Sequence, residues 1–151
     1  MLNIKQNSII KKAIEFINRW RSLPFYELFS YILMFASVPM FAYGIQPYNY
    51  KIIRIILLTI LTLYCGFFAT LIWNDITDFD IDAIAHPDRP IPSGRIDKKK
   101  FFKIALIFSA LSFIFAFLIS NLCLFLVAIA AVFVAFHNKF FKRIIKIPAY
   151  S

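Results

Sequence analysis

Charge is scarce over most of this 151-residue sequence, and that scarcity excludes an ordinary soluble domain. Three long runs, residues 28–50, 55–74 and 104–138, contain no charged side chain. A helix of about 20 apolar residues is long enough to cross the hydrocarbon core of a bilayer. With 61% hydrophobic residues and a mean hydropathy of +0.73, the sequence therefore predicts an integral membrane protein.

Cysteine is almost absent as well. Cys65 and Cys123 are the two cysteines, and both lie inside uncharged runs. Two such residues form neither a disulfide framework nor a zinc site, so we interpret them as small buried apolar side chains.

Four transmembrane helices are predicted, at about residues 24–43, 52–73, 101–119 and 122–136. The uncharged run 104–138 would form a helix of about 50 Å, which is too long for a hydrocarbon core of about 30 Å. We therefore divide it at the polar pair Ser120-Asn121. Before the spans, apolar and charged residues alternate at helical spacing over residues 9–20, which predicts an amphipathic helix on the membrane surface. The predicted fold is an all-α integral membrane protein whose single membrane domain covers residues 1–151.

Lysine and arginine exceed aspartate and glutamate by 17 to 8, a balance that would indicate nucleic-acid binding in a soluble protein. Here the cations cluster at the ends of apolar runs, where juxtamembrane lysines and arginines normally lie. We therefore predict no nucleic-acid partner. The N-terminus, the connector between spans two and three and the C-terminal tail are the basic segments. The positive-inside rule predicts that these three segments face the cytoplasm.

Acidic residues are concentrated in one place. Five of the eight fall within residues 74–94, the acidic stretch: Asp75, Asp78, Asp80, Asp82 and Asp88. An aspartate at the centre of a bilayer costs about 2.5–3.5 kcal/mol, so these side chains are expected at a membrane surface or in a polar cavity.

The spacing of the aspartates suggests a metal site. On a helix continuing from the second span, Asp75, Asp78 and Asp82 lie within about 60° of one another, and Asp80 points to the far side. Three close carboxylates repel one another unless a cation lies among them, and Mg²⁺ prefers oxygen ligands and phosphate groups. The spacing alone leaves two interpretations open, a Mg²⁺ site for a phosphorylated ligand and a solvated helix end.

A calcium-binding EF-hand is excluded at the same place. Asp78, Asp80 and Asp82 match its first three ligand positions, but Ala83 stands where glycine is needed and Arg89 where glutamate is needed.

Three prolines and a glycine within residues 86–94 predict a stiff loop, the proline loop, after the aspartates. The loop presents Arg89, whose planar set of N–H donors suits a diphosphate. The alternative is that Arg89 only pairs with Asp88 or Asp82.

Together these residues carry a family resemblance. The pattern NDxxDxxxD followed by PxRPxPSG resembles the first aspartate-rich motif of the UbiA superfamily of intramembrane prenyltransferases. The pattern DIDAIxxPxRPIPSGRI most resembles the motif in the branch that contains chlorophyll synthases and archaeal digeranylgeranylglyceryl phosphate synthases. Residues 137–143 resemble the family's YxxxLKR, with His137 in place of the tyrosine.

The resemblance implies a site and a reaction. Asn74, Asp78 and Asp82 would hold Mg²⁺, and Asp75 would join Asp78 and Asp82 as catalytic carboxylates. A second set, Arg89, Lys142 and Arg143, would bind the diphosphate of a prenyl diphosphate. Ionisation of that donor leaves an allylic carbocation, which a lipid or aromatic acceptor captures.

The resemblance also implies that about half of the family's helical bundle is present. Members have nine helices and a second aspartate-rich motif, whereas no aspartate follows Asp97 in this sequence. We therefore expect a prenyltransferase fragment that is inactive without a C-terminal half. Two alternatives stay open: one subunit of a split enzyme completed by another chain, and a non-catalytic small membrane protein that binds Mg²⁺ or diphosphate.

Overall fold

A computed structural model describes residues 25–44, 47 and 49–141, together with Lys11 and Glu15. The described elements are α1 (Phe25–Tyr43), α2 (Tyr50–Thr77), α3 (Phe79–Ala85), α4 (Lys98–Ile119), α5 (Asn121–Phe136) and a final π-helical turn (His137–Phe141). Within these residues every regular element is helical, which confirms the all-α prediction. Apart from Lys11 and Glu15, the predicted surface helix of residues 9–20 lies outside the described residues.

Three of the described helices are long and apolar enough to cross a membrane: Tyr50–Thr77, Lys98–Ile119 and Asn121–Lys139. A shorter apolar helix, Phe29–Tyr43, precedes them. The chain is therefore an integral membrane protein. The 28 residues of α2 extend about 42 Å, which is longer than a hydrocarbon core of about 30 Å. α2 is therefore long enough to span the hydrocarbon core with the end that carries Asn74 and Asp75 outside it.

Side-chain caps fix where the helices begin. Asn49 Oδ1 accepts a hydrogen bond from the Ile52 amide at 3.0 Å, and Asp97 Oδ1 accepts one from the Lys100 amide at 3.0 Å. The long uncharged run is divided at Ser120, where the sequence predicted the break. There Ser120 Oγ accepts from the Cys123 amide at 3.1 Å, so one residue ends α4 and begins α5.

The core lies between α2 and α4, directly beneath the acidic stretch. Its buried members come from both helices and from the connection between them: Phe68, Ile72, Ile91, Ile96, Phe101 and Ala105. Phe101 and Ile72 are completely inaccessible to solvent. Because Ile91 and Ile96 are part of this core, the connection that carries the proline loop is packed against the helices.

Polar contacts and one close approach join α2 to α4 inside the membrane. Ser112 Oγ donates to the Thr62 carbonyl at 3.0 Å, which satisfies a hydroxyl that has no water to bind. A Cβ atom placed on Gly66 would come within 3.1 Å of Ser112 Oγ, so the absence of a side chain lets the helices approach. By contrast, no residue of α5 is buried, although α5 follows α4 directly.

Candidate metal and diphosphate site

Asp75 lies on α2, Asp80 and Asp82 lie on α3, and Asp78 lies between the two helices. α2 continues to Thr77, and the Asp78 amide donates to the Asn74 carbonyl at 2.9 Å. The Asp82 amide then donates to the Asp78 carbonyl at 2.8 Å within the first turn of α3. Asp78 therefore belongs to neither helix but keeps the hydrogen-bond pattern of both.

Burial separates these aspartates into two groups. Asp75 and Asp82 are buried, with 7% and 4% of their surface exposed, and Asp78 is half-buried. Asp80 is exposed. This is the separation that the helical wheel predicts, because Asp80 lies on the opposite side of α3 from Asp82. Asn74, the remaining predicted metal ligand, is half-buried near the end of α2.

Arg89 holds the buried carboxylate of Asp82. Its Nη1 atom lies 2.8 Å from Oδ1 and 2.7 Å from Oδ2 of Asp82. The Asp82 side chain is 6% exposed and that of Arg89 is 41% exposed. Of the two pairings that the sequence left open for Arg89, the structure contains the one with Asp82. Such charge-assisted hydrogen bonds contribute about 1.5–3 kcal/mol each where they are sheltered from water, and less where one partner is exposed.

The proline loop folds back on itself, and this brings Arg89 to Asp82. The Arg89 amide donates to the His86 carbonyl at 3.0 Å, and the Ser93 amide donates to the Arg89 carbonyl at 2.9 Å. Gly94 has a φ of +73°, a conformation that glycine adopts without strain, and it reverses the chain before Ile96 enters the core.

Of two basic side chains outside the predicted site, Arg95 braces the loop and Lys98 links the helices on either side of it. Arg95 donates through Nη2 to the Asp88 carbonyl, and through Nε to Ser93 Oγ at 3.1 Å. The Lys98 ammonium lies 4.2 Å from the centre of the Phe79 ring, which links the start of α4 to α3 by a cation–π contact. The loop is therefore held on both sides of Arg89.

The donor set of the acidic stretch suits a hard divalent cation. Asn74, Asp75, Asp78 and Asp82 offer only oxygen ligands, which Mg²⁺ prefers. Among the described residues, no three side chains of histidine, cysteine, aspartate or glutamate are grouped as a metal site. In this arrangement both oxygens of Asp82 are bound by Arg89. The two other predicted diphosphate ligands, Lys142 and Arg143, lie outside the described residues.

A cavity of about 710 Å³ reaches the start of the acidic stretch at Thr77, and none of the aspartates of the stretch is among its lining residues. It is bounded chiefly by α2, α4 and α5, and its wall is apolar over most of its length. At one end it is lined by Thr77, Asn138 and Lys139, and at the level of Leu63 it is lined by hydrophobic residues. Between Leu63 and Thr77 the cavity follows α2 for about 21 Å. Thr77 adjoins Asp78, so the polar end of the cavity lies at the acidic end of α2.

Trp73 is a cavity residue that the sequence analysis did not single out. Its indole Nε1 donates to Ser109 Oγ at 3.1 Å, and both residues line the cavity. A signal for this wall is present in the sequence. Small or polar residues and one tryptophan recur at helical spacing within the second span, and all of them line the cavity: Gly66, Thr70, Trp73 and Thr77.

Comparison with known proteins gives one family. The UbiA prenyltransferase family profile matches residues 30–149. A digeranylgeranylglyceryl phosphate synthase of Methanosphaera stadtmanae is 38% identical over 92 residues, which are 59% of this chain and 31% of that protein. A second protein of that name, from Methanococcus aeolicus, is 38% identical over 101 residues. These are 64% of this chain and 34% of the Methanococcus protein.

A more distant relative has a different name. A protoheme IX farnesyltransferase of Flavobacterium psychrophilum is 32% identical over 77 residues, covering 50% of this chain and 26% of that protein. The chain thus aligns with about a third or less of the length of each of these relatives. No solved structure matches the chain.

Proposed function

This chain belongs to the UbiA prenyltransferase family, and on that premise we propose that it forms the donor-binding part of a membrane prenyltransferase. The reaction would transfer a polyprenyl group from a prenyl diphosphate to a lipid acceptor. One observation carries the proposal: Thr77, at the polar end of the apolar cavity, lies within one helical turn of Asp75 and next to Asp78. A prenyl diphosphate has the matching form, with a charged head and a long apolar chain.

The acidic stretch would bind the charged head of the donor. Asn74, Asp78 and Asp82 would hold Mg²⁺, with Asp75 close by on the preceding turn. When bound, the metal supplies charge neutralisation for the departing diphosphate. Arg89 would donate hydrogen bonds to diphosphate oxygens, and Lys142 and Arg143 would do the same from beyond the π-helical turn.

The cavity would hold the apolar chain and keep water from the reacting carbon. The carbon–oxygen bond to the diphosphate breaks, and its electron pair leaves with the diphosphate. An acceptor oxygen then bonds to the allylic carbon and loses its proton. The ring of Trp73, fixed by Ser109, offers an aromatic face beside the polar end of the cavity, where it would stabilise positive charge on the allyl group.

The names of the relatives favour one acceptor class. Two of them are digeranylgeranylglyceryl phosphate synthases, so we propose a glyceryl phosphate lipid as acceptor. An aromatic acid or quinone precursor is the second choice. Because the alignments cover so little of the relatives, we also propose that further helices complete the catalytic unit.

The direct test is a transfer assay. The chain is co-expressed with the C-terminal two thirds of the Methanosphaera relative, and membranes receive a radiolabelled geranylgeranyl diphosphate and a glyceryl phosphate lipid. We expect labelled product that depends on Mg²⁺ and on the presence of both polypeptides. If the chain binds the diphosphate in a Mg²⁺-dependent way but forms no product, with or without the second polypeptide, the result would support the alternative of a non-catalytic membrane protein that binds Mg²⁺ or diphosphate. No binding and no product would contradict both.

A further inference from the structure

We propose that Arg89 couples the binding of the metal to the binding of the diphosphate. While it is paired as in the structure, Arg89 holds the carboxylate of Asp82 and competes with the cation for it. A diphosphate draws the guanidinium away and so makes Asp82 available to the metal. This inference rests on the proposed function and deepens it, because it assigns an order and a mutual dependence to the two ligands.

The geometry of the ion pair makes the competition direct. One nitrogen of Arg89, Nη1, lies within 2.8 Å of both oxygens of Asp82. A Mg²⁺ ion needs one of those oxygens at about 2.0–2.1 Å. Metal and guanidinium are both cations, so placing them together on one carboxylate is opposed by their mutual repulsion. Arg89 in this position therefore weakens the binding of the metal to Asp82.

The same geometry leaves Arg89 able to accept a second partner. Its contact with Asp82 uses a single nitrogen, while a guanidinium carries five N–H donors in a planar fork. The side chain is 41% exposed, in contrast to 6% for Asp82. Phosphate oxygens match the geometry of these N–H donors. An incoming diphosphate can therefore replace Asp82 as the hydrogen-bond partner of Arg89.

The movement needs only the side chain of Arg89. The backbone on both sides is anchored, because Ile91 and Ile96 are buried in the core and Arg95 is bonded to the Asp88 carbonyl. The loop therefore remains in place while the guanidinium exchanges partners. Lys99 provides a charge-matched control, since it carries one positive charge at the start of α4, close after the loop, and its side chain is exposed.

Coupling of this kind has a signature in two separate binding measurements. The full chain is placed in lipid nanodiscs, and the binding of Mn²⁺ alone is followed by electron paramagnetic resonance. Binding of radiolabelled pyrophosphate alone is measured in EDTA. We expect Arg89→Gln to tighten Mn²⁺ binding about tenfold and to weaken pyrophosphate binding about tenfold, since coupling factors of 5–150 are typical. A purely structural role for Arg89 would weaken both.

Control variants distinguish a failure of the coupling through Arg89 from a failure of the proposed function. Lys99→Gln should leave both affinities unchanged, and Arg89→Lys, which keeps the charge without the fork, should change them in the same directions as Arg89→Gln but less. If Arg89→Gln fails to fold, judged by circular dichroism, Arg89→Lys carries the test. Unchanged or weakened Mn²⁺ binding in the folded variant overturns the coupling alone. A wild-type chain that binds neither Mn²⁺ nor pyrophosphate contradicts the proposed function as well.

Discussion

At the scale of single residues, the acidic stretch shows which features a helical pattern determines. The placement of Asp80 on the opposite side from Asp75 and Asp82 follows from 3.6 residues per turn, so the sequence predicted it. The partner of Arg89 did not follow from the sequence. Asp82 and Asp88 were both available, and the choice depends on how the proline loop folds back, which is set by tertiary packing of Ile91 and Ile96.

Asp78 and Asp80 provide a matched pair of substitutions for the metal assignment. Asp78→Asn and Asp80→Asn each remove one negative charge from the same short segment, so their effects on the long-range field are similar. Asp78 is a proposed ligand on the half-buried side, and Asp80 is exposed on the other. We expect Asp78→Asn to weaken Mn²⁺ binding by tenfold or more, on the order of the losses seen when metal sites are perturbed.

Asp80→Asn should leave Mn²⁺ binding unchanged, which the same electron paramagnetic resonance titration measures. An equal loss of Mn²⁺ affinity in the two variants would show that Mn²⁺ binding depends only on the net charge of the segment. That result would contradict the assignment of Asp78 as a ligand.

At the scale of elements, the breaks between helices were better predicted than the way the connections pack. The division at Ser120 was predictable because a 35-residue helix exceeds the bilayer and because serine caps helices well. The docking of the proline loop was not, since Ile91 and Ile96 lie among prolines and charged residues with no periodic pattern. Their role appears only when α2 and α4 form the core that receives them.

The docked loop gives a prediction about its own stability. Ile91 is 6% exposed, so Ile91→Ala removes buried apolar volume and should destabilise the loop by about 2 kcal/mol or more. Hydrogen–deuterium exchange should then be faster at the amides of Ser93 and Ile96, whose acceptors are the Arg89 and Pro90 carbonyls. Ile84 is 87% exposed, so Ile84→Ala is the control and should leave their exchange unchanged. Unchanged exchange in Ile91→Ala would contradict the anchoring of the loop.

At the scale of the whole molecule, the helices arrange an apolar cavity beside a polar end. The family, the membrane location and the all-helical fold could be predicted from the sequence, because hydropathy and the aspartate-rich motif are local signals. The cavity could not, because its wall combines residues of α2, α4 and α5 that are far apart in the chain. Interhelical packing at Gly66 and the bond between Trp73 and Ser109 determine its shape.

The central claim is that this cavity and the aspartates form one site for a prenyl diphosphate. Photocrosslinking with a geranylgeranyl diphosphate that carries a diazirine at the end of its chain tests it most directly. With Mg²⁺ present, we predict that mass spectrometry finds the label on cavity residues distant from the aspartates, such as Leu63 and Val127, and that excess unlabelled donor removes it. Label confined to exposed residues on the outer face of α4, such as Ile114 and Phe117, and insensitive to competitor would contradict the claim.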